Sequence, residues 1–217
     1  KVLNHFKFSK LDVNKATVVP INITEDTTNK YIIKLKPFIP LLNSFLFIFN
    51  KVFFSYPKEF ESKIISVNEI SSDFDDLWNQ TRQIYSNTLL RNSKTIKWYL
   101  NYQVSKKILI CCFKEKKIIG YGIFIIDNDN MRMIDFWSGS MNFDILRSIA
   151  TRAFYFCKKN KMKSLIFIHF NNHIKYFLEK LYPNQSSYDT RLYFKTKICD
   201  FDSHDTYSTL ITGDIGL

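Results

Sequence analysis

The chain lacks the cysteine spacing of zinc sites and of disulfide-stabilised domains. Its four cysteines stand at positions 111, 112, 157 and 199, and no two of them form a CxxC pair. Cys111 and Cys112 are adjacent, so their side chains point to opposite faces of any strand. We therefore predict neither a metal site nor a disulfide framework. Free thiols fit a reducing compartment, so we expect a cytoplasmic location.

Glycine is scarce, and two common catalytic signatures are absent. The five glycines form neither a Walker phosphate loop nor the elbow that presents a nucleophilic serine. Nothing in the sequence therefore indicates nucleotide hydrolysis by a Walker loop or serine-hydrolase chemistry.

No segment is apolar enough for a comfortable membrane span. The most apolar run covers residues 38–56, whereas a spanning helix needs about 20 mainly apolar residues. The run is interrupted by Pro40, Asn43, Ser44, Asn50 and Lys51. It suits either an interfacial helix or a helix that packs on a neighbouring domain. The recurring polar residues favour the second, so we expect residues 38–56 to pack against protein and not to insert in lipid.

Basic residues outnumber acidic ones, which gives a formal net charge of +11. Such a charge fits a nucleic-acid partner, an anionic-membrane partner or a solvated surface in a lysine- and asparagine-rich protein. The basic residues are scattered singly or in short pairs such as Lys116-Lys117 and Lys158-Lys159. Because no dense cluster appears, the solvated surface is favoured and no nucleic-acid partner is expected.

Apolar periodicity predicts an ordered series of helices and strands, with the clearest signals from Ser72 onward. The first helix follows Ser72, which forms a capping-box pattern with Asp75. Further helices are predicted at 94–102, 142–160 and 171–181. Strands are predicted at 64–70, 107–113, 118–126, 131–137, 164–169 and 191–198, with 207–211 pairing to the last. Residues 1–30 are polar and weakly patterned, and residues 31–35 predict a short strand.

Three stretches resemble the GNAT acetyltransferase superfamily, over about residues 63–211. They are KEKKIIGYGIFIID, MRMIDFWSGS with the following helix, and NNHIKYFLEKLYP. The resemblance implies an α/β (α+β) fold, with a mixed, mainly antiparallel sheet flanked by helices. It also implies an N- or O-acyltransferase that takes acetyl-CoA or another acyl-CoA as substrate. The acyl group would pass to a small-molecule acceptor.

A closer resemblance is to the second domain of tandem-GNAT proteins. It rests on FDDLW at 74–78, on Trp98 and on Gly213-Asp214. It implies that 63–217 form the GNAT-like domain, and that 1–62 are the remnant of a preceding domain plus a helical connector. Contact with a missing N-terminal GNAT domain is then expected. The acceptor would be a sugar or a cell-surface precursor.

The resemblance implies a coenzyme site where the strand at 131–137 meets the long helix. Its residues would be Met133, Phe136, Trp137, Ser138, Gly139, Ser140 and Asn171. The family's Gly-x-Gly positions hold Asp144 and Leu146, and an aspartate there repels a diphosphate. Leu178 stands where the family has its general-acid tyrosine, with Tyr176 on a different helix face. A second hypothesis is therefore a non-catalytic GNAT-fold domain that binds a partner.

Asp135 and Trp98 are the candidate catalytic residues. Asp135 lies mid-strand among apolar residues, where it is either a base for an amine or hydroxyl acceptor or a capped structural carboxylate that faces solvent. Trp98 either stacks on a sugar-like acceptor or packs in the core. His169 and His173 are either further bases or histidines without a catalytic task.

Overall fold

A computed structural model shows a seven-stranded sheet with helices on both faces. The structure describes residues 9–10, 14–24, 36–84, 88–102, 105–140, 142–169, 172–182, 186–190 and 193–194. The predicted strands at 31–35 and 207–211, the Gly213-Asp214 pair and Asn171 lie outside these ranges, as do the side chains of His169 and His173.

The strands of the sheet are β2 (Asn14–Pro20), β3 (Glu61–Ile65), β4 (Lys106–Lys114), β5 (Lys117–Asp127), β6 (Asn130–Ser138), β7 (Ser164–His169) and β8 (Ser186–Thr190). Their order across the sheet is β3-β4-β5-β6-β7-β2-β8. Neighbouring strands are antiparallel except β6 and β7, which are parallel. A separate pair joins β1 (Ser9–Lys10) to β9 (Tyr193–Phe194). The predicted mixed, mainly antiparallel sheet is confirmed.

Five α-helices flank this sheet. They are α1 (Ile39–Phe53), α2 (Asp73–Thr81), α3 (Ser93–Asn101), α4 (Phe143–Lys159) and α5 (Asn172–Leu181). Strands β4 to β7 and helices α3 to α5 all begin and end within one residue of their predicted bounds, because their apolar periodicity is strong. The crossover from β6 through α4 to a parallel β7 is also confirmed.

Alternation along β5 places α4 and α2 on opposite faces of the sheet. A Cβ at Gly120 would lie 2.7 Å from a methyl of Ile145 in α4. The next side chain, Tyr121, packs instead on Phe74 of α2, with ring centroids 5.7 Å apart. Helix α3 lies on the α2 face, because the Asp75 carboxylate accepts hydrogen bonds from the backbone and hydroxyl of Ser93.

Replacing Gly120 with alanine is expected to lower the free energy of unfolding by about 1–3 kcal/mol. The added methyl would meet Ile145 at 2.7 Å and the Trp137 carbonyl at 3.0 Å, so α4 or the sheet must shift. Gly139→Ala is the matched control, because its Cβ meets nothing closer than 3.4 Å. Urea unfolding of the two variants measures the difference. Equal stabilities would show that α4 does not approach β5 this closely.

The N-terminal segment contributes a strand and a helix to this fold. Strand β2 lies between β7 and β8, so residues 1–62 and 63–217 share one sheet. The Asn50 side chain of α1 donates a hydrogen bond to the Pro20 carbonyl at 2.7 Å. The Phe54 ring after α1 stacks on Phe154 of α4, with centroids 4.8 Å apart. The expected packing of 38–56 against protein is confirmed for this face, and no described helix is long and apolar enough to cross a bilayer.

Two local predictions are wrong, because other hydrogen bonds decide the local structure. Ser72 precedes α2 but its hydroxyl does not cap it, since Asp75 bonds to Ser93 in α3. The predicted strand at 64–70 starts earlier and ends at Ile65, where a capping box between Ser66 and Glu69 closes a 3-10 turn. Of the predicted strand at 191–198 the structure describes only Tyr193–Phe194, which form β9, and the other residues lie outside the described ranges.

Candidate functional site

Strands β6 and β7 pair over only part of their length. The parallel pairs run from Asn130–Ser164 to Met133–Phe167. Beyond these pairs, β6 continues to pair with β5, and β7 continues to pair with β2. The register of β5 and β6 also shifts here, because Ile123 pairs with Asp135 and Phe124 with Met133, which leaves Ile134 as an inserted bulge residue. The bulge falls where the pairing of β6 with β7 ends, and we refer to the unpaired stretch between residues 134–138 and 168–169 as the notch.

The notch leads to the turn between β6 and α4. Gly139 N–H donates to the Ile119 carbonyl at 2.9 Å, and Asn142 N–H donates to the Ser140 carbonyl at 2.7 Å. The Asn142 side chain caps α4 by accepting from the Asp144 N–H at 2.8 Å. An anion at a helix N-terminus is held by such N–H groups. Several donors that a diphosphate would use are therefore already bonded within the chain.

A cavity of about 380 Å³ lies beside the start of α4. It carries two cations, Lys58 and Arg147, and two carboxylates, Glu59 and Asp144. The Arg147 guanidinium donates to the hydroxyl of Ser55, which holds it at the cavity wall. The charges balance, so an anion that enters this cavity is attracted by the two cations and repelled by the two carboxylates.

Asp135 lies in a buried ion pair. Its Oδ1 is 3.1 Å from Nη2 of Arg91, and the side chains are 2% and 4% exposed. Tyr121 donates its hydroxyl to Oδ2 at 3.2 Å. The Arg91 guanidinium also stacks over the Trp137 ring at 4.7 Å and donates to the hydroxyl of Thr88. This arrangement favours the structural alternative for Asp135, although the side chain faces the interior and not solvent.

The sequence reasoning missed Arg91, which the structure places at the centre of this cluster. A lone aspartate among the apolar residues of β6 signals that some cation must lie opposite it, because an unpaired buried carboxylate is costly. The sequence holds 31 lysines and arginines, and no local pattern distinguishes Arg91 from the others. Only the loop that precedes α3 brings it to Asp135.

Trp98 is exposed on helix α3, whereas Asp135 is buried. Tyr99 is buried, and its burial and the Asp135 charge raise its pKa to about 12. Trp98, the preceding residue, is 60% exposed. Its ring is 6.0 Å from that of Tyr102, and Lys107 Nζ lies 5.7 Å from the Tyr102 ring. The structure therefore presents Trp98 on an aromatic surface and not in the core.

Most of the remaining predicted coenzyme residues are buried. Met133, Phe136, Trp137 and Ser138 have exposed fractions of 4% or less, so they can offer backbone groups to a ligand but little side-chain surface. The Trp137 indole N–H donates to the Thr81 hydroxyl at 2.8 Å, which fixes this ring against α2. Gly139 and Ser140 are exposed in the turn.

Helix α5 places an apolar side chain where the resemblance expects a general acid. Leu178 is fully buried in the core, and Tyr176 is 61% exposed on another face of the helix. In the described part of the chain, no group of three or more histidine, cysteine, aspartate or glutamate side chains could hold a metal ion.

No family model matches the sequence, and no curated protein is significantly similar to it. Among solved structures, an aminoglycoside acetyltransferase from an uncultured soil metagenomic sample is similar over 64% of this chain and 97% of its own, with 12% identity and a TM-score of 0.50. A probable N-acyltransferase from Enterococcus faecalis V583 is similar over 77% of this chain, with 9% identity and a TM-score of 0.50. The chain has the GNAT fold.

The GNAT fold accounts for the order of the elements from β3 to α5. Sequence identities near 10% show the fold alone, and not the reaction or the substrates. The chain spans 35% of the Enterococcus protein. It spans 62% of a functionally unknown conserved protein from Staphylococcus epidermidis, with a TM-score of 0.48 and 10% identity. What the GNAT fold does in this chain therefore depends on its own residues.

The three thiols in the described residues are buried and protonated at neutral pH. Burial raises the pKa of Cys111 well above its ordinary value and raises the pKa of Cys157 to about 12. Burial also raises the pKa of the Cys112 thiol, against the lowering effect of hydrogen bonds with Ser148 and Ser62. None of the three therefore supplies a thiolate nucleophile.

These raised pKa values predict a loss of stability in alkali. Below about pH 8.5, the ordinary thiol pKa, the folded and unfolded chains both hold these protons, so the stability is fully present. Above it the unfolded chain releases them first, so stability falls as the pH rises. We expect the melting temperature to fall between pH 8.5 and 10.5, roughly in step with thiol ionisation, and less steeply in Cys157→Val. Rapid labelling of Cys157 by iodoacetamide in the folded chain would contradict this.

Proposed function

We propose that the chain is an acyl-CoA-dependent acyltransferase domain. The observation that carries the proposal is the end of β6–β7 pairing at Met133–Phe167, directly before the bulge at Ile134. A pantetheine arm is a narrow, extended group with amide donors and acceptors. It can enter the notch between two diverging strands and bond to backbone groups, as an added strand does.

The proposed reaction is direct transfer within a ternary complex. An acceptor amine or hydroxyl attacks the thioester carbonyl carbon, the C–S bond breaks, and the acceptor loses its proton as the coenzyme leaves as thiolate. Because Leu178 cannot protonate that thiolate, the proton reaches it from the acceptor or from water. Holding the two substrates in the reacting geometry is then the main contribution of the protein.

The proposed acceptor surface is the exposed face of α3 around Trp98 and Tyr102. Two aromatic rings 6.0 Å apart, with the Lys107 ammonium over the Tyr102 ring, suit the apolar face of a sugar whose hydroxyls face solvent. The aminoglycoside acetyltransferase with the same fold was crystallised with trehalose and with sisomicin. A sugar or a cell-surface precursor remains the proposed acceptor.

Two further parts of the proposal concern the setting of this domain. The buried free thiols support a reducing, cytoplasmic location. We also propose that residues 1–62 derive from a preceding GNAT domain and its connector, and that the chain contacts such a domain. On this proposal β2, which pairs with β7 and β8, is the part of that remnant that has joined the sheet.

A second candidate function is a non-catalytic GNAT-fold domain that binds a partner. The observation that favours it is the capped turn before α4, where the Asn142 side chain accepts a hydrogen bond from the Asp144 N–H. A binding domain needs no diphosphate site and no general acid. The two candidates therefore differ in one property, which is affinity for acyl-CoA.

Removing the charge of Asp144 is expected to tighten the binding of acetyl-CoA. Asp144 lies in the first turn of α4, where a carboxylate repels the diphosphate. Asp144→Gly and Asp144→Asn should both lower the dissociation constant, by about two- to fivefold at low salt, with the gain fading as ionic strength rises. Isothermal titration calorimetry measures it.

Glu59→Gln is the matched control, because Glu59 lines the same cavity but lies outside α4. It should tighten binding less than either Asp144 variant. If neither the unchanged chain nor any variant binds acetyl-CoA, the non-catalytic candidate is correct. Binding by an Asp144 variant alone would identify an acyltransferase site that has lost its function.

A further inference from the structure

Helix α1 presents an apolar face to solvent. This outer face consists of Leu41, Phe45, Ile48 and Val52, whose exposed fractions run from 55% to 70%. Their spacing of four, three and four residues places them in one line along the helix. With Phe49 beside them they expose roughly 500 Å², a size at which an apolar patch on a monomer is often functional.

Two polar residues of α1, Asn43 and Asn50, face the protein, whereas Ser44 and Lys51 are exposed beside the outer face. The Asn43 side chain accepts from Ile23 N–H at 2.7 Å and donates to the Ile23 carbonyl at 3.1 Å. Asn50 is fully buried and donates to the Pro20 carbonyl. The expectation of no contact with lipid rests on the recurring polar residues of this segment. Asn43 and Asn50 are two of these residues, and they bind the helix to the rest of the chain. They therefore do not prevent the outer face from contacting lipid.

Helix α1 and the residues directly before and after it carry positive charges only, up to Glu59. From Lys36 to Lys58 the chain has three lysines and no aspartate or glutamate. Lys51 is exposed within the helix itself, and Lys158 Nζ lies 5.2 Å from the ring of Phe47 on its inner side. Each lysine held near an anionic bilayer contributes about 1 kcal/mol of attraction. A second copy of the chain would instead bring together two molecules of net charge +11.

We propose that α1 is a membrane-surface anchor, and that its outer face lies on an anionic bilayer. The apolar side chains enter the boundary between headgroups and acyl chains, while the lysines meet the lipid phosphates. The inner face stays on the protein, so the helix lies parallel to the membrane plane and the sheet remains in water. This attachment is independent of whether the notch binds acyl-CoA.

Flotation of the full chain with lipid vesicles tests the anchor. We expect binding to vesicles of 70% phosphatidylcholine and 30% phosphatidylglycerol to be at least about tenfold stronger than to pure phosphatidylcholine, and to weaken with salt. The double variant Phe45→Gln, Ile48→Gln should lose at least about tenfold in affinity. Trp98→Gln is the matched control, because Trp98 is 60% exposed but lies on the opposite face of the sheet.

Trp98→Gln should bind as the unchanged chain does, within about twofold. Circular dichroism of all three proteins checks that each is folded. Absence of vesicle binding by the unchanged chain overturns the anchor, and so does an equal loss in the Trp98 variant. A dimer by light scattering that only the double variant dissociates would show that the outer face joins two copies, which also overturns it.

Discussion

Replacing Asp135 with asparagine is expected to lower the free energy of unfolding by about 3–5 kcal/mol, which is a large part of the stability of such a domain. The substitution removes the carboxylate opposite Arg91, whose side chain is only 4% exposed. A guanidinium left in the interior without that carboxylate costs far more than a lost surface pair. Urea unfolding followed by fluorescence measures the change.

Two controls separate this ion pair from ordinary charge effects. Glu61→Gln breaks the surface ion pair between Glu61, which is 63% exposed, and Lys63, which is 56% exposed. This variant should change the free energy of unfolding by less than about 0.5 kcal/mol. The double variant Arg91→Met, Asp135→Leu removes both buried charges and should recover most of the loss. If Asp135→Asn leaves the stability unchanged but abolishes acyl transfer, Asp135 acts as a base, and assigning it a structural role is wrong.

Replacing Phe54 with alanine is expected to cost about 3–5 kcal/mol, because it removes a fully buried ring. Phe54 stacks on Phe154 at 4.8 Å and lies 6.2 Å from Tyr182, so it joins the end of α1 to α4 and to the end of α5. Phe45→Ala is the matched control, because the same residue type stands on the outer face of α1. It should change stability by less than about 0.5 kcal/mol.

The comparison of these two phenylalanine variants decides whether α1 belongs to the folded unit. Thermal unfolding should remain a single transition in both variants, with only the Phe54→Ala melting temperature lowered. A small effect at Phe54, or a separate early transition, would mean that residues 38–56 form an independent connector that does not stabilise the sheet.

The central part of the fold could be predicted from the sequence because its elements have strong local signals. Helix α4 has a continuous apolar stripe, and the KEKK and DNDN turns mark the hairpins between β4, β5 and β6. Strand β2 had no such signal. Its residues NKATVVP lie in a polar stretch, and they form a strand because β7 and β8 on either side supply hydrogen bonds.

The candidate site was less predictable than the fold, because its chemistry depends on long-range neighbours. The sequence marks Asp135 as unusual, but only the folded chain shows that Arg91 and Tyr121 occupy its oxygens. The sequence likewise marks Trp98 without showing that it is exposed. For α1, the sequence alone could not show whether Asn43 and Asn50 would face the protein or the solvent.

The most direct test of an acyl-CoA site between β6 and β7 is amide chemical-shift mapping by NMR. An isotope-labelled chain titrated with acetyl-CoA should show its largest shifts at residues 134–139 and at Phe167 and Ile168, where the two strands part. The α3 surface around Trp98 should shift little until an acceptor is added. Shifts confined to α3, or none at millimolar acetyl-CoA, would contradict an acyl-CoA site in the notch.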